Sequence, residues 1–210
     1  MSSEAALKTP APDTRRRIVD TAERLFREIG YQKTTVADIA KALKMSPANV
    51  YRFFDSKKSI NEAVAERLMR EVEAAVEAIA SRRAPAAERF REMVATMHRM
   101  NAGLYTDNLR MHEMVEAALT ESWQVVHDHI ERKSAIFNKV IADGIASGEF
   151  RAADAWMASR CAQMALIRFF NPVLIVQCAN ESGPSIEQMT DFVLAGLGYH
   201  GAGPEFPSEA

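Results

Sequence analysis

The sequence predicts an all-α protein with a small N-terminal domain and a larger C-terminal helical domain. Apolar residues recur at three- and four-residue spacing along most of the 210-residue chain, and no segment alternates apolar and polar residues as a strand does. The charge is divided: residues 1–60 carry 12 Lys and Arg against 7 Asp and Glu, and the remaining residues carry 14 against 21. A basic module joined to an acidic body favours a DNA-binding protein.

The first element is predicted to be a helix from Asp13 to Ile29. Residues 1–12, rich in Ser, Ala and Pro, are expected to form a disordered arm before it. The apolar stripe of this helix consists of Ile18, Ala22, Leu25, Phe26 and Ile29. Gly30 is expected to end the helix in a left-handed conformation.

Two short helices joined by a tight turn are predicted next. In the first, from Val36 to Leu43, the hydroxyl of Thr35 can cap the helix and Asp38 supplies the acidic half of a capping box. The second runs from Pro47 to Phe53 or Phe54, with Ser46 as its cap and proline at its first position. Such a short helix needs a partner to lie against, and the pair therefore predicts a helix-turn-helix.

The second of these helices has side chains suited to the major groove of DNA. Ala48 is small and Asn49 both donates and accepts hydrogen bonds, so both permit close approach to base edges. Tyr51, Arg52 and Lys57 can reach phosphates, which position a protein on DNA without specifying sequence.

The segments Thr34–Ala40 (TTVADIA) and Ser46–Phe54 (SPANVYRFF), followed by Lys57, resemble the DNA-binding domain of the tetracycline-repressor (TetR) family of bacterial transcriptional regulators. The resemblance extends from about residue 16 to residue 65. It implies a homodimer formed by the last two long helices and a roughly palindromic operator. One departure is Phe53, where the family more often has Tyr or His to touch a phosphate.

These observations give one set of candidate DNA-binding residues and place the DNA-binding domain at residues 13–60. The basic cluster that opens the first helix adds an arginine, and the start of the helix-turn-helix adds two threonines. The predicted set is Arg16, Thr34, Thr35, Ser46, Pro47, Ala48, Asn49, Tyr51, Arg52 and Lys57.

Residues 61–200 are predicted to form a helical domain that binds a ligand and dimerises, followed by a loose tail at 201–210. Asp55 and Ser56 cap a long helix that reaches about Ile79. Further helices are expected at 86–101, 108–120 and 121–146. The last two are expected at 155–179, with a kink at Pro172, and at 185–197.

The C-terminal domain is rich in methionine and aromatic residues, which suit a pocket for varied apolar ligands but are equally typical of a plain core. Histidines could add polarity to such a pocket. The predicted ligand-binding residues are Met93, Met97, Met100, Met111, His112, His127, Phe137, Met164 and Phe169.

The last two predicted helices are apolar on more than one side, as expected for helices that pair with another chain. The residues predicted to form the dimer interface are Trp156, Phe170, Val173, Met189, Phe192 and Val193.

Other classes of protein find little support in the sequence. There is no Gly-rich phosphate loop and no Gly-x-Ser-x-Gly, so an enzyme is not predicted, and neither is a cofactor. The histidines lack metal-ligand spacing, and no apolar run is long enough to span a membrane. Cys161 and Cys178 lie in apolar helical sequence, which predicts buried free thiols and a cytoplasmic protein.

The sequence therefore predicts a ligand-responsive transcriptional regulator whose partners are double-stranded DNA, a small-molecule inducer and a second copy of itself. We expect a repressor that a small apolar or amphipathic molecule releases from a palindromic operator. The alternative is a ligand-free helical protein that shapes DNA or binds a protein partner through its basic face.

Overall fold

A computed structural model describes residues 11–105, 109–121 and 123–200. Within these ranges every regular element is a helix and no strand occurs, which confirms the all-α prediction. The predicted tail at 201–210 lies outside the described residues, as does the predicted arm except for its last two residues, which begin the first helix.

The described helices follow the predicted order. They are α1 (Ala11–Ile29), α2 (Val36–Ala42), α3 (Pro47–Tyr51), α4 (Lys57–Ala80), α5 (Ala86–Tyr105), α6 (Leu109–Glu121), α7 (Trp123–Ser147), α8 (Ala155–Ala165), α9 (Ile167–Phe170), α10 (Pro172–Gln177) and α11 (Ile186–Gly196).

Contacts within the chain divide it into two compact units. Unit 1 comprises residues 1–69 and 108–127, and unit 2 comprises residues 70–107 and 128–210. The helix-turn-helix formed by α2 and α3 thus shares a unit with α6, which comes much later in the sequence. The functional domain boundary at residue 60 stays a prediction.

In unit 1, α6 is attached to the N-terminal helices by polar contacts as well as by its buried face. The guanidinium group of Arg110 donates to the main-chain carbonyl of Glu28. The carboxylate of Glu113 accepts from the main-chain amide of Gln32 over 3.1 Å, and the side chain of Asn61 donates to the carbonyl of Met114 over 3.2 Å. The bond from Asn61 is buried and satisfies its side-chain NH2 group, whereas the other two bonds are exposed.

Unit 2 encloses one apolar core. Phe90 of α5 and Phe137 of α7 meet edge to face with their ring centroids 5.6 Å apart, and Phe170 lies 6.0 Å from Phe137. Edge-to-face pairs of this kind add to the stabilisation that burial provides. The other fully buried large side chains of this core are Met93, Met97, Ile141 and Leu166.

The prediction of a single kinked helix at 155–179 is wrong, because this segment forms three separate helices, α8, α9 and α10. The residue before a proline is disfavoured in the α conformation, and Asn171 is extended, with ψ of 122°. Its side chain then caps α10 by accepting from the amides of Val173 and Leu174. Pro172 therefore starts a new helix instead of kinking an existing one.

Two further features of the described residues bear on the predictions. Cys161 is exposed on α8 and Cys178 is half-buried, so the prediction of buried thiols is wrong for Cys161. No described helix combines the length and apolar character that a membrane span requires.

Candidate nucleic-acid interface and ligand site

The turn between α2 and α3 is built by backbone hydrogen bonds around Lys44. Lys44 has φ of +56°, and its amide bonds to the carbonyl of Lys41 while the amide of Met45 bonds to that of Ala40. This is a Schellman turn, which glycine usually makes because a side chain in the left-handed region costs about 1 kcal/mol. The turn ends α2 sharply and aims the chain into α3.

Both helices of the pair begin with the predicted caps. The hydroxyl of Thr35 accepts from the amide of Asp38 over 3.1 Å, and the carboxylate of Asp38 accepts from the amide of Thr35 over 2.9 Å. Hydrogen bonds from Thr35 hold the pKa of Asp38 below its ordinary value. The hydroxyl of Ser46 accepts from the amide of Asn49 over 3.3 Å, and Pro47 stands at the first position of α3.

The five-residue helix α3 is held by its buried face and presents the opposite face to solvent. Val50 is completely buried, and Phe54, just beyond the helix, is only 3% exposed. Because α3 is too short to be stable alone, this contact with the unit 1 core fixes its orientation. Tyr51 is 50% exposed, and Pro47, Ala48 and Arg52 are exposed with it.

Asn49 is half-buried, and its side-chain amide lies 3.7 Å from the sulfur of Met45. Thr35 and Ser46 are exposed at the starts of their helices. Arg16 is exposed on α1, where it pairs with Asp13 over 3.2 Å. Phe53, where the family more often has Tyr or His, is half-buried.

Two residues of the predicted set take part in the internal framework of unit 1. Thr34 is fully buried, and its hydroxyl donates to the carbonyl of Gly30 over 2.7 Å. The ammonium group of Lys57 lies 4.3 Å from the centre of the Tyr31 ring and donates to main-chain carbonyls of the loop between α1 and α2. Burial lowers the pKa of Lys57. Their contact with DNA stays a prediction.

Two basic residues near this surface are absent from the predicted set. Lys44 is exposed in the turn that leads directly into α3. The guanidinium group of Arg15 lies 4.4 Å from the centre of the Phe54 ring, which joins α1 to the segment after α3. The basic run Arg15–Arg17 in the sequence indicated Arg15, whereas no residue type indicated Lys44.

The predicted ligand-binding residues are only partly brought together. Met93, Met97 and Phe137 are buried in the core of unit 2, with Met100 and Phe169 packed against it. The others lie elsewhere: Met111 is buried in unit 1, His127 is exposed in unit 1, and Met164 is 70% exposed on α8. The side chain of His112 lies outside the described residues.

Unit 2 has a cavity of about 320 Å³ beside α5, α9 and α10. Its walls include His98, Arg168, Phe169 and Ile175. Nδ1 of His98 lies 3.0 Å from the carbonyl oxygen of Phe169, and Arg168 donates to the carbonyls of Cys178 and Glu181. This cavity has an apolar wall and a polar rim, as small-molecule sites commonly have.

A buried charge cluster joins α4 and α7 within unit 2. Glu73 is buried, and its two carboxylate oxygens contact Nδ1 of His129 at 2.7 Å and Nε of Arg132 at 2.8 Å. Burial, together with the nearby charge of Lys133, lowers the pKa of His129 to about 4. Burial likewise lowers the pKa of Lys133 to about 8.

The residues predicted for the dimer interface occupy both faces of their helices. Trp156, Val173 and Phe192 are exposed, and Phe192 is exposed by 70%. Phe170 and Val193 are buried in the unit 2 core, and Met189 is partly buried against it. The exposed face of α8 also carries Met157 and Met164.

Within the described part of the chain, no three His, Cys, Asp or Glu residues are grouped as metal ligands would be.

Two family models match the chain. Residues 86–191, half of the chain, match the tetracyclin repressor-like C-terminal domain, and residues 18–64 match the bacterial regulatory proteins of the tetR family. The biofilm operon icaADBC negative transcriptional regulator IcaR of Staphylococcus aureus is 52% identical over 46 residues, which are 22% of this chain. The matched part spans 25% of the length of that relative.

Solved structures share the fold. A TetR/AcrR family transcriptional regulator from Thermobifida fusca superposes with a TM-score of 0.63 at 24% identity, over 88% of this chain and 98% of that one. The regulator FadR from Bacillus subtilis, solved in complex with stearoyl-CoA, superposes with a TM-score of 0.61 at 20% identity, over 87% and 96%.

Proposed function

This chain belongs to the TetR family of DNA-binding transcriptional regulators, and from that premise we propose that it is a dimeric repressor released from a palindromic operator by a small apolar or amphipathic molecule. The observation that carries the DNA-binding part is the geometry of α3. Its buried Val50 fixes the helix on unit 1 while Pro47, Ala48, Tyr51 and Arg52 face solvent.

The exposed face of α3 has the chemistry that the major groove requires. Ala48 allows close approach, and Asn49 can pair with the edge of an adenine. Arg52 and Tyr51 stand at the end of the helix, where they can meet phosphates. In this proposal Thr35, Ser46 and Arg16 add phosphate contacts from the starts of α2, α3 and α1.

The exposed apolar residues of α8 and α11 support a dimer. Trp156, Met164 and Phe192 are large apolar side chains exposed to solvent. Exposed apolar patches on a protein commonly mark an interface with another protein. A two-fold dimer presents two copies of α3. Its operator is then palindromic, with half-sites one DNA turn apart, about 34–36 Å.

Unit 2 supplies room for an effector. The cavity beside α5, α9 and α10 and the aromatic and methionine core offer apolar surface, and FadR of Bacillus subtilis, a structural relative, was solved with stearoyl-CoA. The ligand shifts the equilibrium between DNA-binding and non-binding forms only by its differential affinity for the two.

A gel-shift experiment with the purified full chain tests the DNA-binding proposal. We expect the DNA beside its own gene to be retarded in the presence of excess competitor duplex, and scrambling one half of the dyad to abolish that retardation. Retardation of random duplex to the same extent would instead support the architectural alternative. Absence of binding to any duplex at low salt would contradict both.

A further inference from the structure

The imidazole of His98 is held in one tautomer at the wall of the unit 2 cavity. His98 lies on α5 and lines this cavity, and its Nδ1 is 3.0 Å from the main-chain carbonyl oxygen of Phe169. Because a carbonyl oxygen can only accept a hydrogen bond, Nδ1 carries the proton and donates it. In the neutral imidazole the other ring nitrogen, Nε2, is therefore a hydrogen-bond acceptor.

Phe169 fixes the orientation of this imidazole as well as its tautomer. The two rings meet edge to face, with their centroids 5.8 Å apart. His98 is half-buried, and no residue in the described part of the chain donates a hydrogen bond to its Nε2. A fixed acceptor at the wall of a cavity is a polar group that a ligand can satisfy.

The charged side chains of the cavity wall neutralise each other. The guanidinium group of Arg168 lies 3.7 Å from the carboxylate of Glu181 and donates to the main-chain carbonyls of Cys178 and Glu181 at 3.1 and 3.3 Å. A hydrogen bond to Glu181 raises the pKa of Cys178, so the thiol stays protonated at neutral pH. An ionic ligand would thus lose hydration here without meeting an unpaired opposite charge, which favours a neutral ligand.

The remainder of the cavity wall is apolar, and the cavity is small. Phe169, Leu174 and Ile175 supply aromatic and aliphatic surface. The volume of about 320 Å³ lies at the lower end of the range of about 300–1,000 Å³ that is usual for small-molecule sites. The cavity therefore suits a compact molecule with an apolar body better than a long chain.

We propose that this cavity binds a compact, neutral alcohol or phenol whose hydroxyl group donates a hydrogen bond to Nε2 of His98. The apolar body of the ligand packs against Phe169, Leu174 and Ile175. The inference rests on the proposed function, because it names the chemical class of the effector that unit 2 binds. An aliphatic alcohol and a phenol offer the same donor, and the experiment below distinguishes them.

Binding of matched hydroxyl compounds and methyl ethers to the full chain tests the donor. Calorimetric titration at pH 8 would compare para-propylphenol with para-propylanisole, and para-propylcyclohexanol with its methyl ether. Each ether keeps the body and the oxygen of its partner but has no proton to donate. We expect at least about fivefold tighter binding of the hydroxyl compound in one pair, which identifies the kind of body. The anion para-propylbenzoate should bind more weakly than that compound.

The variant His98→Phe removes the acceptor and keeps an aromatic ring in its place. We expect it to bind the two members of the pair equally, while its operator binding without ligand is unchanged. The matched control is His127→Phe, which makes the same substitution at an exposed histidine of unit 1. This control should keep the preference for the hydroxyl compound.

A second variant, Ala179→Trp, tests the location of the site. Ala179 lines the cavity and is exposed, so a larger side chain there narrows the cavity without entering the core of unit 2. We expect it to weaken binding of the hydroxyl compound and of the ether at least about fivefold. Ala78→Trp, at an exposed position of α4 away from the cavity wall, is the control and should leave both affinities unchanged.

Equal binding of hydroxyl compound and ether in both pairs, or no binding of either hydroxyl compound, would overturn the proposal. So would tighter binding of para-propylbenzoate, a preference that survives His98→Phe, or binding that Ala179→Trp leaves unchanged. The gel-shift result is independent: a chain that retards its operator but shows no preference for the hydroxyl compound loses only the ligand assignment. A chain that shows the preference through His98 but binds no operator loses the proposed function and keeps the ligand site.

Discussion

The ammonium group of Lys57 donates a hydrogen bond of 3.0 Å to the main-chain carbonyl of Thr34, which joins the first turn of α4 to the residue before the cap of α2. The same group donates to the carbonyls of Tyr31 at 2.8 Å and Gln32 at 3.2 Å. A cation in the first turn of a helix opposes the helix dipole. Three carbonyl partners offset that cost and place Lys57 at the base of the helix-turn-helix.

Lys57→Met should therefore destabilise the chain by about 1.5–3 kcal/mol, because it removes the hydrogen bonds that a charged group donates to carbonyls of the loop. Urea unfolding of the variant and of Lys58→Met gives the comparison. Lys58 is exposed and pairs weakly with Glu62 over 3.9 Å, so its loss should cost no more than about 0.5 kcal/mol. Equal costs would contradict the role assigned to Lys57.

Whether Lys57 also contacts a phosphate is a separate prediction. If it does, Lys57→Met should reduce the slope of log K for operator binding against log salt by about one unit.

Arg52→Ala should weaken binding to every duplex by a similar factor. Arg52 is exposed at the end of α3. In the proposed complex its guanidinium group contacts the DNA backbone, which carries no sequence information. Fluorescence anisotropy over a salt series should show the slope of log K against log salt reduced by about one unit. An effect confined to the operator, with random duplex unaffected, would show that Arg52 contacts a base.

Asn49→Ala should have the opposite signature. Its amide group can read an adenine, so the variant should lose about 1–3 kcal/mol of discrimination at one base pair of each half-site and keep its affinity for random duplex. Anisotropy titrations against operators substituted one base pair at a time locate that position. If Asn49→Ala and the unsubstituted protein rank the affinities of these operators in the same order and by the same factors, Asn49 does not read the sequence.

The parts of this structure that the sequence predicted are those set by neighbouring residues. Thr35 with Asp38, and Ser46 with Pro47, mark helix starts because the capping groups lie within three residues of the amides they satisfy. The turn at Lys44 could not be predicted in this way, because lysine rarely adopts the left-handed backbone conformation found there. It is the surrounding structure that holds Lys44 there.

Long-range placement was beyond the sequence for a similar reason. The periodicity of α7 shows where its apolar stripe lies, yet Lys133 is buried only because Phe170 and Glu73, far away in the chain, lie against the same turn. The grouping of α6 with the N-terminal helices also depends on contacts between distant residues, such as Asn61 with Met114. The residue types alone do not identify which distant residues come into contact.

Phe192→Asp should separate the proposed dimer. Phe192 is 70% exposed on α11, and a carboxylate there would be desolvated wherever a second chain covers it. Loss of a central aromatic contact costs about 2 kcal/mol or more, which raises the dimer dissociation constant at least about thirtyfold. Analytical ultracentrifugation should show a lighter species, and operator affinity should fall with it. Ala78→Asp, at an exposed position of α4, is the control and should leave the mass unchanged. An unchanged mass for Phe192→Asp would remove α11 from the interface.

The last prediction concerns the pH dependence of stability that the buried Lys133 imposes. Its pKa falls from an ordinary 10.5 to about 8 in the folded chain, so the unfolded chain holds the proton more tightly. Below pH 8 both states are protonated and the full cost of burying the charge, about 3 kcal/mol, opposes folding. As the pH rises from 8 to 10.5, the folded chain releases its proton first and that cost disappears. The neighbouring groups do not follow, because His129 titrates near pH 4, the pKa of Glu73 is lowered and Arg132 stays charged.

Lys133→Met should consequently be more stable than the unsubstituted chain at neutral pH, and the advantage should shrink by about 2 kcal/mol between about pH 7.5 and about pH 9.5. Urea unfolding of both proteins at these pH values measures the difference directly, because every other titration is common to the two. Lys139→Met, which removes an exposed lysine from the same helix, should show no such trend. A stability difference that stays constant across this range would mean that the ammonium group of Lys133 keeps its ordinary pKa and remains hydrated.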